Sequence, residues 1–331
     1  MKKIIVTKKL PFDIEESFKN YDLIYNKFSE PLSEDELQKE LFDADAIISM
    51  LSDKINARML EKAGNLKVVA NYAVGFNNID VDYCSEKKIV VCNTPHVLTE
   101  ATAELGFALM ISAARRIVEA DKFVRQDKFK GWEPTLFLGQ GLQNRTLGIY
   151  GFGKIGQTLG NFARNFKMNV IYSSRSRKRH EENLIDAQYV TFEHLLEKSD
   201  FLVVTAPLNT STRHRFTTNE FEKMKSSSVF INLGRGEIVR ESDLAEALEN
   251  GNISYAGLDV YEFEPSVNKK LLSMDNVILL PHIGSATVTA RKEMAKLCVQ
   301  SVKEVLEKNN LPWNAVNKNF IGTLPFSQNN I

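Results

Sequence analysis

TLGIYGFGKIGQTLGNFARNF, residues 146–166, begins with a short apolar run that stops at glycine, which predicts a strand over 146–150. Gly151, Gly153 and Gly156 follow at once in GxGxxG spacing, and Ile155, Leu159, Phe162, Ala163 and Phe166 then recur on one face of a helix. In such a turn Gly151 permits the tight bend, Gly153 lets a pyrophosphate approach the backbone, and Gly156 lets helix and strand pack closely. Free N–H groups at the start of the helix would hold the diphosphate, with Lys154 and Ile155 beside it. GxGxxG alone is a weak signal, because a strand-to-helix turn without a ligand carries the same glycines. Here a strand precedes it, a helix follows, and a second strand arrives on schedule at 168–173, which is the context a dinucleotide site requires.

Short apolar runs alternate with helical patterns on both sides of this unit. Further strands are predicted at 201–205, 228–233, 255–260 and 276–280, making six, which suits one doubly wound nucleotide-binding domain. Before it, strands are predicted at 3–7, 45–50, 66–73 and 88–94, with helices between several of them. One such helix starts after Ser33, an N-cap with Glu36 three positions on. A long helix is predicted over about 99–129 and a last one over about 288–307, with Met294, Leu297, Cys298, Val302 and Leu306 at helical spacing. At 331 residues, two α/β domains with parallel sheets are expected.

Composition removes several function classes. Lys plus Arg and Asp plus Glu number 42 each, so no global charge favours nucleic acid or an anionic membrane as partner. Cys84, Cys92 and Cys298 are an odd set without CxxC spacing, which argues against a disulfide framework or a metal site and fits a reducing compartment. The apolar part of the basic N-terminus is only Ile4-Ile5-Val6, too short for a signal peptide, and no run approaches a membrane span. A cytoplasmic location is the expectation.

The end of the strand at 168–173 bears on the choice of dinucleotide. NAD sites place Asp or Glu about 20 residues after the glycines, to bind the ribose 2′-OH. Tyr172-Ser173-Ser174-Arg175-Ser176-Arg177-Lys178-Arg179 offers hydroxyls and guanidinium groups instead. Ser174, Arg175 and Arg177 suit a 2′-phosphate, and position outweighs the alternative of a solvated basic loop. NADP(H) is therefore expected in preference to NAD(H).

Three later loops at the carboxyl ends of strands carry an Arg, a Glu and a His: Asn232-Leu233-Gly234-Arg235-Gly236, Tyr261-Glu262-Phe263-Glu264-Pro265 and Pro281-His282-Ile283-Gly284. Reduction of a 2-keto acid needs a group for the carboxylate, one to polarise the ketone and one to protonate the nascent alkoxide. An Arg serves the first two, and a His supported by a carboxylate serves the third. Singly each has a bland alternative, a turn, an exposed acid or a structural histidine. Together, at the cofactor edge, Arg235, Glu264 and His282 form a catalytic constellation. Of the other histidines, His180, His194 and His214 read as surface residues, and His96 as structural.

With these motifs in view, GFGKIG, NLGRGEIV, GLDVYEFEP and LLPHIGSAT resemble the D-isomer-specific 2-hydroxyacid dehydrogenase family, and TPHVLTEATAELGFALMI extends the resemblance over nearly the whole chain. It implies that His282 donates the proton, Glu264 supports it, and Arg235 clamps carboxylate and carbonyl. It also implies that Val74, Gly75 and Ser285 contact substrate. Thr102, Ala206, Pro207, Leu233, Gly234, Asp259 and Gly284 would contact the cofactor, Thr102 near the phosphates and Asp259 near the nicotinamide carboxamide. The architecture implied is a Rossmann domain over 99–286 inserted into a flavodoxin-like substrate domain formed by 1–98 and 287–331, in a homodimer.

Within the family the likeness is greatest to glyoxylate/hydroxypyruvate reductases. GWEPTLFLGQGL at 131–142 resembles a loop whose Trp, here Trp132, reaches a neighbouring subunit's substrate site; a plain interface or core aromatic is the alternative. Glu264 argues against a formate dehydrogenase, which usually has Gln there. Two alternatives stay open: a dinucleotide-sensing, corepressor-like binding protein of the same fold, and another enzyme of the family such as a 2-ketogluconate reductase. The segment after Pro312 carries no readable signal.

Overall fold

The structure is a computed structural model that describes residues 1–28, 30 and 32–321. The chain divides into two compact units, Met1–Leu98 with the residues from Ala286 onward, and Thr99–Ser285. Residues 322–331, at the end of the second segment expected in the substrate domain, lie outside the described residues.

In the first unit β1 (Lys3–Val6), β2 (Asp22–Tyr25), β3 (Ala46–Ser49), β4 (Val68–Asn71) and β5 (Val90–Cys92) form a parallel sheet in the order β2-β1-β3-β4-β5. This is the flavodoxin-like order. All residues of β3 and β4 are buried, as expected of strands covered on both faces. Their polar ends, Ser49 and Asn71, satisfy each other through a 3.1 Å hydrogen bond. The helix Val288–Lys308 packs on this sheet through Met294, Leu297, Cys298, Val302 and Leu306, the stripe read from the sequence. Ser33 and Glu36 close the expected capping box at the helix Glu34–Leu41.

The second unit contains β6 (Thr146–Tyr150), β7 (Asn169–Ser173), β8 (Ala187–Tyr189), β9 (Phe201–Val204), β10 (Val229–Asn232), β11 (Tyr255–Leu258) and β12 (Val277–Leu279). They form a second parallel sheet in the order β12-β11-β10-β9-β6-β7-β8. Winding reverses between β6 and β9, the switch point beside which doubly wound sheets bind ligands. Apolar clusters line both faces, one including Leu195, Phe216, Phe230 and Leu244, the other Leu147, Leu159, Tyr172 and Ile231. The fold is thus α/β, with a Rossmann sheet and a flavodoxin-like sheet.

Three features depart from the sequence reading. β2 and β8 were not predicted; both are edge strands with one neighbour and little burial, so neither needs a continuous apolar run. The long helix expected over 99–129 is two helices, Thr99–Ala114 and Ile117–Arg125. Between them Arg116 takes a left-handed backbone (φ 54°), and its guanidinium holds Glu119 and the Tyr255 hydroxyl. The Ala114 carbonyl, which a continuing helix would use, instead accepts the Gln140 N–H at 2.7 Å.

All three cysteines are buried free thiols. Burial pushes Cys84 and Cys92 up to about 12, and Cys298 up as well. Among the described residues no helix is long and apolar enough to cross a membrane.

Candidate active site

The glycine turn follows β6 as the spacing requires. Gly151 has φ +95°, and a Cβ there would lie 2.5 Å from the Ala206 amide nitrogen, so only glycine fits. Ala206, at the end of β9, thereby becomes one wall of the turn. Gly153 is the N-cap of the helix Lys154–Asn165 and offers no side chain to its first amides. A Cβ on Gly153 would meet nothing within 4 Å. An open face beside uncapped helix amides fits a dinucleotide diphosphate. Within the expected apolar face, Leu159 and Ala163 are buried, whereas Phe166 is half exposed and packs edge-on to Phe107 at 4.7 Å.

The basic segment after β7 is ordered by a buried anchor. Tyr172 stacks on Phe152 at 3.8 Å and donates its hydroxyl to Glu182 at 2.5 Å. Arg177 forms a forked pair with the same carboxylate, Nε at 2.9 and 3.0 Å and Nη2 at 2.8 Å. Arg177 is therefore largely committed to holding the segment in place. Arg175 is exposed, and the Ser174 hydroxyl donates to the Ser176 carbonyl at 2.8 Å.

Arg235, Glu264 and His282 emerge after β10, β11 and β12 at the same edge of the second sheet. Glu264 Oε2 lies 2.9 Å from His282 Nδ1, and its Oε1 accepts the Tyr261 N–H at 3.0 Å. Burial pushes the Glu264 carboxyl up, but the His282 hydrogen bond and charge, the Tyr261 amide and Arg235 outweigh it and hold it below its ordinary value. An ionised Glu264 only accepts, so Nδ1 must carry the proton of that bond, and Nε2 is the ring atom left for chemistry. Burial pushes the Arg235 guanidinium down, against the charges of Glu264 and Glu237. It stays cationic, as arginine does throughout the working range.

Two further residues hold these groups in place, and the sequence reading missed both roles. Asn232 at the end of β10 accepts the Gly234 N–H at 3.0 Å and donates to the Arg235 carbonyl at 3.0 Å, stapling the Arg235 loop. Asp259 accepts the Ile283 and Gly284 N–H groups, each at 2.7 Å, one on each carboxylate oxygen. It thus straps down the loop in which His282 sits at φ 54°, a conformation that a side chain adopts only when held. Burial pushes the Asp259 carboxyl up, with the two amides opposing. The Asn232 bonds close a local turn with residues two and three positions on, whereas the Asp259 bonds need the fold to bring Ile283 and Gly284 to it.

Of the remaining assignments, Leu233 packs over Gly106, and Thr102 lies against Gly284, where a Cβ would come within 3.3 Å of its methyl. Gly234 backs onto the Ala206 carbonyl, which draws the ends of β9 and β10 together; Pro207 is exposed and Ser285 half-buried. Val74 and Gly75 belong to the first unit, where Asn93 and Asn71 hold their carbonyls at 2.7 and 2.8 Å. Trp132 is 84 % exposed, which removes the core-aromatic alternative. His180 and His194 are exposed, and His96 stacks on Trp313 at 5.9 Å. His214 departs from expectation: rather than a solvated surface residue, it meets Glu262 at 2.7 Å.

Residues 107–284 match the family described as "D-isomer specific 2-hydroxyacid dehydrogenase, NAD binding domain". The chain belongs to this family. The dehydrogenase is 43 % identical to a glyoxylate reductase of Thermococcus litoralis over 98 % of its own length and 99 % of the relative's. A solved glyoxylate reductase of Paecilomyes thermophila superposes with a TM-score of 0.86 at 29 % identity, covering 96 % of this chain and 99 % of that one. An NADPH-dependent glyoxylate/hydroxypyruvate reductase of Sinorhizobium meliloti, solved with NADP and malonate, superposes with a TM-score of 0.84 at 29 % identity over 96 % and 97 %. This protein is accordingly an NAD(P)-dependent oxidoreductase with an NAD-binding domain, acting on keto or hydroxy acids.

Proposed function

We propose that the dehydrogenase reduces glyoxylate, hydroxypyruvate or a similar small 2-keto acid to the D-2-hydroxy acid, with NADPH as preferred cofactor. The observation that carries this reading is the Glu264–His282 pair, 2.9 Å apart beside Arg235, at the sheet edge that also bears the glycine turn. The dinucleotide would rest on Gly151, Gly153, Lys154, Ile155 and Gly156, with Ala206, Pro207, Leu233, Gly234, Asp259, Gly284 and Thr102 around it. When bound it supplies a hydride. Arg235 binds the substrate carboxylate and draws charge onto the carbonyl oxygen. His282 gives its Nε2 proton to that oxygen, and ionised Glu264 stabilises the protonated ring before the transfer. Ser285 adds a further contact to the substrate.

The exposed guanidinium of Arg175 beside Ser174 supports NADPH, as does the NADP in the Sinorhizobium relative. Arg177 contributes by shaping the segment through Glu182. We also propose a homodimer, with Trp132 directed at the partner. Ile117, Val118, Val124, Phe129 and Leu138 are all exposed on the same stretch and form an apolar surface of the kind that association covers. A panel of small 2-keto acids assayed with NADPH and NADH tests the activity. Turnover of glyoxylate or hydroxypyruvate with a clear preference for NADPH is expected; preference for NADH, or binding without turnover on any member, overturns it.

A further inference from the structure

Behind the Glu264 loop lies a second set of ionisable groups that this chemistry does not use. Glu241, buried at the start of the helix Glu241–Glu249, accepts the Glu262 N–H on Oε1 at 2.5 Å and the Asn268 N–H on Oε2 at 3.1 Å. Glu262 reciprocates, its Oε2 accepting the Glu241 N–H at 3.0 Å while its Oε1 meets His214 Nε2 at 2.7 Å. His214 is fixed in turn by its own N–H, which donates to the Glu237 carbonyl at 2.8 Å. One carboxylate therefore fastens both ends of the segment 262–268, and Glu264 lies between the fastenings.

The same segment backs onto the Arg235 loop. A Cβ on Gly236 would lie 1.8 Å from the Tyr261 carbonyl carbon, so the two backbones touch. Tyr261 also supplies the N–H that orients Glu264. Burial pushes the Glu241 carboxyl up, the two backbone N–H groups pull it down, and the charges of Glu262 and Glu264 push it up again. A buried carboxylate beside two others is a costly way to close a loop that Asn or Ser could close. What the arrangement provides is a backbone fixed on both sides of one side chain.

We propose that Glu241, with Glu262 and His214 behind it, is a positioning residue that sets the loop from which Glu264 reaches His282. The proposal rests on the reading of His282 as proton donor. Glu241→Gln keeps the shape of the side chain but leaves one accepting oxygen for two N–H groups, so one fastening is lost. Reductive kcat/KM is then expected to fall about tenfold, with NADPH Kd within about twofold of wild type. The alkaline limb of the kcat/KM–pH profile is expected to move to lower pH by about half a unit, and Glu264→Gln to move it further the same way. Combining the two substitutions should move the limb no further than Glu264→Gln alone, since Glu241 acts through Glu264.

A wild-type limb in Glu241→Gln, or a further shift in the double variant, overturns the proposal. If Glu264→Gln shifts the limb and Glu241→Gln does not, only the positioning role fails. If Glu264→Gln itself behaves as wild type, the proton-donor reading fails and the positioning role falls with it. Should Glu241→Gln not fold, His214→Asn, which loosens Glu262 alone, decides: a smaller shift in the same direction supports the proposal, and a wild-type limb overturns it.

Discussion

At the scale of single residues, His282, the proposed proton donor, is held from two sides. Glu264 holds one nitrogen and Asp259 holds the backbone, so the other nitrogen is presented without side-chain reorganisation. In His282→Gln the amide can still bond Glu264 but has no proton to release. Turnover is expected to fall by about 10²–10⁴, with NADPH affinity unchanged by fluorescence titration. The acid limit follows from Glu264, whose carboxyl lies below its ordinary 4.5. Its pairing therefore contributes stability above that value and loses it only as pH falls through the lower folded-state value. The melting-temperature difference between wild type and Glu264→Gln should persist down to about pH 5 and shrink as pH falls below the ordinary carboxylate value.

At the scale of elements, the glycine turn and the proposed catalytic groups Arg235, Glu264 and His282 each follow a strand, and the turn after β6 has the strictest demand. Gly151→Ala combines a positive φ with a Cβ 2.5 Å from the Ala206 amide, both backbone features that cannot rotate away. A loss of about 1–3 kcal/mol in thermal denaturation and loss of dinucleotide binding are expected. The elements legible in the sequence were those whose signal is local: buried strands such as β3 and β9, the glycine turn, the capped helix after Ser33. β2 and β8 were not legible, because an edge strand borrows its definition from the neighbour it pairs with. The break at Arg116 was hidden likewise, since Tyr255 and Gln140 that enforce it are far along the chain. The same holds in the site: Arg235, Glu264 and His282 announced themselves by type and by strand end, whereas the Asp259 strap and the His214–Glu262 pair exist only through long-range contacts.

At the scale of the whole molecule, the apolar stretch from Ile117 to Leu138 with Trp132 at 84 % exposure is a surface a monomer would leave wet. Light scattering on the purified protein should return twice the 37.5 kDa chain mass, and Trp132→Ala should raise KM for the keto acid more than it lowers kcat. A monomer of full activity would remove the partner from the site. The three cysteines bear on how such experiments can be run. With every thiol buried and held protonated far above neutrality, none competes for a maleimide or reacts quickly with oxidants. The native enzyme is therefore a silent background for thiol chemistry: a single cysteine engineered in the exposed stretch from Ile117 to Leu138 would carry a fluorophore or crosslinker alone, and reducing agents can be left out of the buffer.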